Sequence, residues 1–179
     1  MLKIENTALT LIDVQGKLAG LMHERDELFR NLEILVRGAD ALEVPILWLE
    51  QYPQGLGPTV PEIAQLLGAR RPIEKTCFSA HGSEEYRRQL QACGRRQLLL
   101  AGIETHICVY QTARHLLDED YYVEIVGDAV SSRTAANKAL GIDKMVRAGA
   151  QVTSVEMALF ELLGEAGTPQ FKTIARLVK

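Results

Sequence analysis

Cysteine is scarce in this chain of 179 residues, and its placement excludes two kinds of structural framework. The three cysteines, Cys77, Cys93 and Cys108, lie far apart and form no CxxC pair. Neither a disulfide framework nor a cysteine-based zinc site is therefore indicated. Free cysteines of this kind are typical of a reducing compartment, and we expect a cytoplasmic protein.

The chain also lacks a charge excess and long apolar runs. It carries 20 Lys and Arg against 23 Asp and Glu residues, a net charge of -3, and these residues are spread along its length. No basic stripe is present, so nucleic acid is not an expected partner. No apolar run approaches the length of a membrane span, and residues 1–7 contain no apolar signal segment. We therefore expect no membrane partner.

Short apolar runs recur along the sequence and alternate with longer segments of helical periodicity. This alternation predicts an α/β fold with a parallel sheet and helices on both faces. No linker rich in Pro, Gly or Ser divides the chain, so residues 1–179 are predicted to form a single domain. The predicted strands are Ala8–Ile12, Val44–Leu49, a short one within Arg71–Glu74, Gln97–Ala101, Tyr122–Val126 and Gln151–Val155.

Three chemically active side chains follow different predicted strands. Asp13 follows the first, Lys75 the third and Cys108 the fourth. Ligands of open α/β sheets bind beyond the carboxyl ends of the strands, so these side chains are expected at one rim. There the carboxylate would take the thiol proton, the ammonium would stabilise negative charge, and the sulfur would attack an electrophilic carbon.

Each of these residues also has an ordinary structural interpretation. Asp13 would serve as a helix N-cap, Lys75 as a solvated surface lysine and Cys108 as a small buried apolar residue. Against the last of these, Gly102 ends an apolar run and Cys108 falls at the start of the next predicted helix. The unsatisfied N–H groups and dipole of a helix N-terminus are expected to lower the pKa of such a thiol.

Three motifs in order carry a resemblance to a known family. They are Leu11–Gln15 (Leu-Ile-Asp-Val-Gln), Glu74–Ser79 (Glu-Lys-Thr-Cys-Phe-Ser) and Gly102–Val109 (Gly-Ile-Glu-Thr-His-Ile-Cys-Val). The chain resembles the isochorismatase-like cysteine hydrolases, which include nicotinamidases and N-carbamoylsarcosine amidohydrolase, over nearly its whole length. Residues 50–53 and 56–59 resemble in particular the YcaC-like branch.

The resemblance implies both a fold and a division of roles. The fold is a three-layer α/β/α, Rossmann-like arrangement whose six-stranded parallel sheet has the order 3-2-1-4-5-6. Asp13 would be the general base, Lys75 its electrostatic partner and Cys108 the nucleophile. A cis peptide bond between Ile103 and Glu104 would direct backbone N–H groups of Glu104 and Cys108 at a developing oxyanion. Relatives commonly form homo-oligomers, and we expect the same of this chain.

Further residues are candidates for binding a small-molecule substrate. Gln15 is interpreted either as a substrate ligand and partner of Asp13 or as an ordinary loop residue. Nicotinamidases carry an Asp-x-His metal pair where this chain has Leu49–Tyr52, so no metal site is predicted, and no Gly-rich phosphate motif indicates an organic cofactor. The substrate-binding candidates are Gln15, Gln51, Tyr52, Phe78, Ile103, Glu104 and Thr105.

The resulting hypothesis is a cysteine hydrolase that cleaves a small amide, ureido or related C–N bond through a covalent intermediate on Cys108. Two alternatives remain open. One is ether or ester hydrolysis by Asp13 and Lys75 with the thiol as a bystander, and the other is a catalytically silent oligomeric interaction or redox-sensing protein. Residues 51–61 are expected to form an irregular loop that shapes the pocket. Asp128 and Arg133 are expected to form a structural charge pair.

Overall fold

A parallel six-stranded sheet lies at the centre of the molecule. The computed structural model describes all residues from Met1 to Lys179. The strands are β1 (Thr7–Ile12), β2 (Ile46–Gln51), β3 (Ile73–Lys75), β4 (Gln97–Ile103), β5 (Tyr122–Ser131) and β6 (Gln151–Thr153). Their order is β3-β2-β1-β4-β5-β6, and all neighbours run parallel. The predicted fold and strand order are confirmed.

Nine α-helices accompany the sheet. None of them combines the length and apolar character that a membrane crossing requires. The helices are α1 (Gly16–Ala19), α2 (Arg25–Ala41), α3 (Pro53–Leu56), α4 (Pro61–Ala64), α5 (Glu84–Cys93), α6 (Tyr110–Asp118), α7 (Ala135–Arg147), α8 (Val155–Leu163) and α9 (Pro169–Leu177).

The helices form two layers because successive side chains of a strand point to opposite faces of the sheet. Leu9 and Leu11 of β1 belong to one buried cluster, which also contains residues of α2, α8 and α9. Ala8 and Ile12 of the same strand belong to the other, which contains residues of α5, α6 and α7. Every residue of β1 is buried, as the continuous apolar run predicts for a central strand.

Several predicted boundaries are wrong. β5 does not end at Val126 but continues to Ser131, because a register shift against β4 lets pairing resume at Gly102 and Val130. β6 ends at Thr153 rather than Val155, since the Ser154 side chain caps α8. The stretch 51–61, expected to be irregular, contains α3.

Gly102 determines how closely β1 and β4 approach at their carboxyl ends. Its φ angle is +112°, in the region that favours glycine, and a Cβ atom at this position would lie 2.0 Å from the Ile12 carbonyl oxygen. The two strands therefore meet at their ends without an intervening side chain. As a result, Asp13 after β1 and the turn after β4 lie side by side.

Candidate active site

Asp13 and Lys75 form a buried ion pair at the rim of the sheet. The Lys75 Nζ atom lies 2.7 Å from Asp13 Oδ2. Asp13 is 3% exposed and Lys75 is 4% exposed. Asp13 has a φ angle of +54° at the point where the chain leaves β1. Lys75 ends β3 and pairs in register with Gln51 of β2, so its side chain reaches across β2 to Asp13.

Further hydrogen bonds hold the Lys75 ammonium in place. Its Nζ donates to Gln51 Oε1 at 2.6 Å, to the Cys77 carbonyl at 3.3 Å and to the Phe78 carbonyl at 3.2 Å. Its donors are thus directed at protein acceptors. The ammonium compensates the charge of Asp13 and is not free to bind a second anion.

Cys108 lies in a π-helical turn, Thr105–Val109, that leads into α6. The Glu104 carbonyl accepts hydrogen bonds from the N–H groups of Ile107 at 3.0 Å and Val109 at 3.3 Å. The peptide bond between Ile103 and Glu104 is cis. Cys108 is 7% exposed, so the nucleophile candidate is delivered to the rim in a mostly buried position.

The expectation that the fold lowers the pKa of Cys108 is wrong. Burial raises the pKa of its thiol to about 12, and the nearby Asp13 charge adds to this rise, while Lys75 and the Glu104 N–H group oppose it. Two N–H groups of the turn are already bonded to the Glu104 carbonyl, which reduces the positive potential that a helix start would supply. The resting site therefore holds a thiol, and a proton acceptor is needed to form the nucleophile.

Asp13 has the properties of that acceptor. Burial raises the pKa of its carboxyl above the usual 3.8, and the adjacent Lys75 ammonium opposes the rise. One carboxylate oxygen is bonded to Lys75, whereas Oδ1 is buried with no hydrogen bond of standard geometry. Asp13 and Cys108 lie close enough to influence each other's pKa. Oδ1 is thus free to accept a hydrogen bond, in a carboxyl group that lies close to Cys108.

These residues border a cavity of about 100 Å³. Four of the predicted substrate-binding residues, Gln51, Phe78, Ile103 and Glu104, line it together with Asp13 and Cys108. Three further apolar residues line the cavity and were not among the predicted substrate-binding residues. Ile107 lies within a recognised motif and Leu56 within the loop expected to shape the pocket, whereas no sequence signal pointed to Leu18. The missed residues are Leu18, Leu56 and Ile107.

The other three predicted substrate-binding residues do not line this cavity. The fully buried Gln15 donates from Nε2 to the carbonyls of Gly57 at 2.7 Å and Gln51 at 3.1 Å, and its Oε1 accepts from the Gln51 N–H group at 2.6 Å. Gln15 thus joins the end of β2 to the following loop. Tyr52 is 52% exposed and borders a separate adjacent cavity, and Thr105 is fully buried.

Glu50 lies in the segment Leu49–Tyr52, for which no metal site is predicted, and its side chain binds backbone. Its buried Oε1 accepts a hydrogen bond from the Thr59 N–H group at 2.6 Å. No group of three His, Cys, Asp or Glu side chains is placed to hold a metal ion. Glu50 and Gln15 together fix the loop that carries Leu56.

Arg133 pairs with Glu104, and the predicted Asp128–Arg133 pair is absent. The Glu104 carboxylate accepts from the Arg133 backbone N–H at 3.1 Å and from its Nε at 3.2 Å. Asp128 lies within β5 and accepts from the Val155 N–H group at the start of α8. His106 is bonded through Nδ1 to Ser132 Oγ at 2.9 Å. Residues 132–133 thus anchor the turn that carries Cys108.

This anchoring predicts unequal effects of two substitutions. Arg133→Ala should cost below about 1 kcal/mol of unfolding free energy, because the half-exposed guanidinium is screened and the backbone N–H bond survives. Glu104→Ala should cost about 2 kcal/mol, because both bonds are lost and a partly buried N–H group is left unpaired. Urea unfolding of the two variants measures the difference. Equal losses would show that the guanidinium is the main anchor.

Comparisons with known proteins agree with this architecture. Residues 7–157 match the family model described as Isochorismatase domain. The chain is 38% identical over 178 residues to the secreted isochorismatase effector Isc1 of Phytophthora sojae, covering 97% of this chain and 85% of that protein. It is 36% identical over 178 residues to human isochorismatase domain-containing protein 2, covering 97% of this chain and 83% of that protein.

Solved structures show the same similarity. A protein of Caenorhabditis elegans described as MAR1 ribonuclease superimposes with a TM-score of 0.92 at 34% identity, covering 99% of this chain and 91% of that one. YcaC of Pseudomonas aeruginosa, described with hexane-2,5-diol and covalent acrylamide, gives 0.92 at 25% identity, covering 98% and 90%. YcaC of Escherichia coli, described as an octameric hydrolase of unknown specificity, gives 0.92 at 25%, covering 98% and 89%. On its sequence, fold and matched domain, the chain belongs to the isochorismatase-like cysteine hydrolase family.

Proposed function

We propose that this protein is a cysteine hydrolase that cleaves a small amide, ureido or related non-peptide C–N bond through a covalent intermediate on Cys108. The observation that carries the proposal is the buried Asp13–Lys75 pair, whose Oδ1 has no hydrogen-bond partner and whose carboxylate borders the same small cavity as the Cys108 thiol. A base, a compensating cation and a thiol in one cavity are the requirements for nucleophilic attack on a carbonyl carbon.

Attack and proton transfer are coupled in the first step. The Cys108 proton passes to Asp13 Oδ1 as the sulfur bonds to the carbonyl carbon, so no free thiolate needs to accumulate in a site that raises the thiol pKa. Negative charge moves to the carbonyl oxygen. We assign the backbone N–H groups of Glu104 and Cys108 as its hydrogen-bond donors.

The second half of the cycle restores the enzyme. The tetrahedral adduct collapses, the C–N bond breaks, and Asp13 returns its proton to the leaving nitrogen, which departs as ammonia or an amine. Water then attacks the thioester while Asp13 takes a proton from it, and the acid leaves as Cys108 regains a proton from Asp13. The net reaction consumes one amide and one water and releases one acid and one amine.

Two relatives bear on the choice of reaction. The covalent acrylamide described for YcaC of P. aeruginosa supports the nucleophilic part of the proposal, because nucleophiles such as thiols add to the C=C bond of acrylamide; the amide of acrylamide is not cleaved in that addition. The C. elegans neighbour is described as a ribonuclease. The Cys108 cavity here is too small for a nucleotide and has no unpaired cation for a phosphate, so RNA is not the substrate that we propose.

The experiment that tests the proposal is detection of the acyl intermediate. Wild-type protein is mixed with an amide substrate, quenched in acid, and analysed by intact and peptide mass spectrometry. We expect a mass increase equal to the acyl group on the peptide that contains Cys108, and no adduct or turnover in Cys108→Ala. Undiminished turnover by Cys108→Ala would instead establish the ether or ester hydrolysis that leaves the thiol unused.

We also propose that the protein works as a homo-oligomer in a reducing, cytoplasmic environment. The octamer described for E. coli YcaC and the exposed apolar side chains of Leu140 and Val146 support self-association. The three free cysteines, including the one required as a nucleophile, support a reducing environment.

A further inference from the structure

The size and lining of the Cys108 cavity define a substrate class. We infer that the substrate is an uncharged, short-chain aliphatic amide of about four or five non-hydrogen atoms. This inference rests on the proposed function and narrows it. It depends on three features of the cavity, namely its volume, its apolar wall and the pairing of every charge that borders it.

The volume sets the length of the substrate. An apolar cavity of about 150 Å³ holds benzene, which has six non-hydrogen atoms. By proportion, the cavity of about 100 Å³ beside Cys108 encloses about four such atoms, and any further atoms of a substrate would lie outside it. Pockets for larger organic ligands measure roughly 300–1,000 Å³. Acetamide and propionamide are therefore of the right size, whereas aromatic or long-chain amides are not.

The charges around the cavity exclude ionised substrates. Lys75 is the cation nearest to the thiol, and its donors are directed at Asp13, Gln51 and two carbonyls. The Glu104 carboxylate is paired with Arg133. A substrate carboxylate would enter without a free cation and would meet Asp13, so the cost of its desolvation would be uncompensated. A substrate ammonium would find the charge of Asp13 compensated by Lys75 and that of Glu104 by Arg133, and only Asp13 Oδ1 is free to accept a hydrogen bond from it.

The wall orients a neutral amide. Cys108, Asp13, Gln51 and Glu104 supply the polar part of the lining. The apolar lining residues are Leu18, Leu56, Phe78, Ile103 and Ile107. The carboxamide therefore belongs beside the thiol, and the alkyl chain belongs among these apolar residues. Leu56 lies on the loop that Gln15 and Glu50 hold in place, so we assign to Leu56 the role of limiting chain length.

Turnover of a matched series tests the assignment. We would measure kcat/KM for acetamide, propionamide, hexanamide, benzamide and the anion succinamate. We expect propionamide to exceed hexanamide, benzamide and succinamate by at least tenfold. Leu56→Ala should raise the ratio of hexanamide to propionamide at least tenfold. Leu21→Ala is the matched control, because Leu21 is exposed and does not line the cavity, and it should leave that ratio unchanged.

Alkylation of Cys108 tests the cavity without turnover. Iodoacetamide and iodoacetate have nearly the same shape and differ in charge. Their rates at Cys108, mapped by peptide mass spectrometry and each divided by the rate with glutathione, should favour iodoacetamide at least tenfold. The bulkier iodoacetanilide should react more slowly than iodoacetamide by a similar factor, and Leu56→Ala should reduce that factor while Leu21→Ala does not.

The outcomes separate this inference from the proposed function. Cys108-dependent turnover that favours long or anionic amides overturns the substrate class and leaves the cysteine hydrolase intact. Failure to turn over any short neutral amide also overturns the substrate class. So do equal alkylation rates of Cys108 by iodoacetamide and iodoacetate, each divided by the rate with glutathione. Turnover that survives in Cys108→Ala overturns the proposed function, while the alkylation ratios still measure the selectivity of the cavity.

Discussion

Asp13→Asn is expected to change two reactions of Cys108 in opposite directions. Hydrolysis should fall by about 10²–10⁴-fold, because the substitution removes the carboxylate that we propose as the general base and keeps the shape of the side chain. Alkylation by iodoacetamide at pH 9 should instead become several-fold faster. The Asp13 charge helps to raise the pKa of Cys108, so its removal lowers that pKa and increases the thiolate fraction.

The direction of the change in alkylation rate follows from the titration of the Cys108 thiol. A thiol with a pKa of about 12 has a thiolate fraction of about 10⁻³ at pH 9, and this fraction rises about tenfold for each unit by which the pKa falls. Lys75 lowers the pKa of Cys108, so Lys75→Met should slow the alkylation. Rates at Cys77 and Cys93, read from the same peptide maps, serve as internal references. Slower alkylation in Asp13→Asn would show that Asp13 activates the resting thiol.

The fold and the residues of the candidate site could be predicted from the sequence for different reasons. Alternating apolar runs and helical segments indicate a parallel sheet, because strands buried on both faces leave a continuous apolar signal. The strand order was predicted from the resemblance to the isochorismatase-like family, since hydrophobic patterning does not specify which strands are neighbours. Asp13, Lys75 and Cys108 each follow or end a strand, and the carboxyl ends of neighbouring parallel strands share one rim.

The electrostatics of the site could not be predicted in the same way. The sequence places Cys108 near a helix start, but it does not show that burial outweighs the helix dipole and raises the pKa of the thiol. Likewise, Asp128 and Arg133 are close in sequence, yet the extension of β5 directs Asp128 to α8 and leaves Arg133 beside Glu104. Both outcomes depend on packing between elements that are distant in sequence.

Lys75→Met is expected to destabilise the protein by about 3–5 kcal/mol at pH 7, because it leaves the Asp13 carboxylate buried without a compensating charge. Urea unfolding measures the loss. Lys17→Met is the matched control, since Lys17 is exposed, and it should change stability by less than about 0.5 kcal/mol. The double variant Asp13→Asn/Lys75→Met should recover part of the loss, because it removes both charges.

The pH dependence of the stability lost in Lys75→Met tests whether the charge of Asp13 causes that loss. Burial raises the pKa of Asp13 in the folded protein above 3.8, and the loss of Lys75, which opposes that rise, raises it further. A carboxyl whose folded pKa is raised penalises folding above its unfolded pKa, and the penalty grows until the pH reaches the folded pKa. The deficit of Lys75→Met should therefore shrink as the pH falls toward 4 and should not shrink in the double variant. A deficit independent of pH would instead attribute the loss to the hydrogen bonds that Lys75 makes to Gln51 and the backbone.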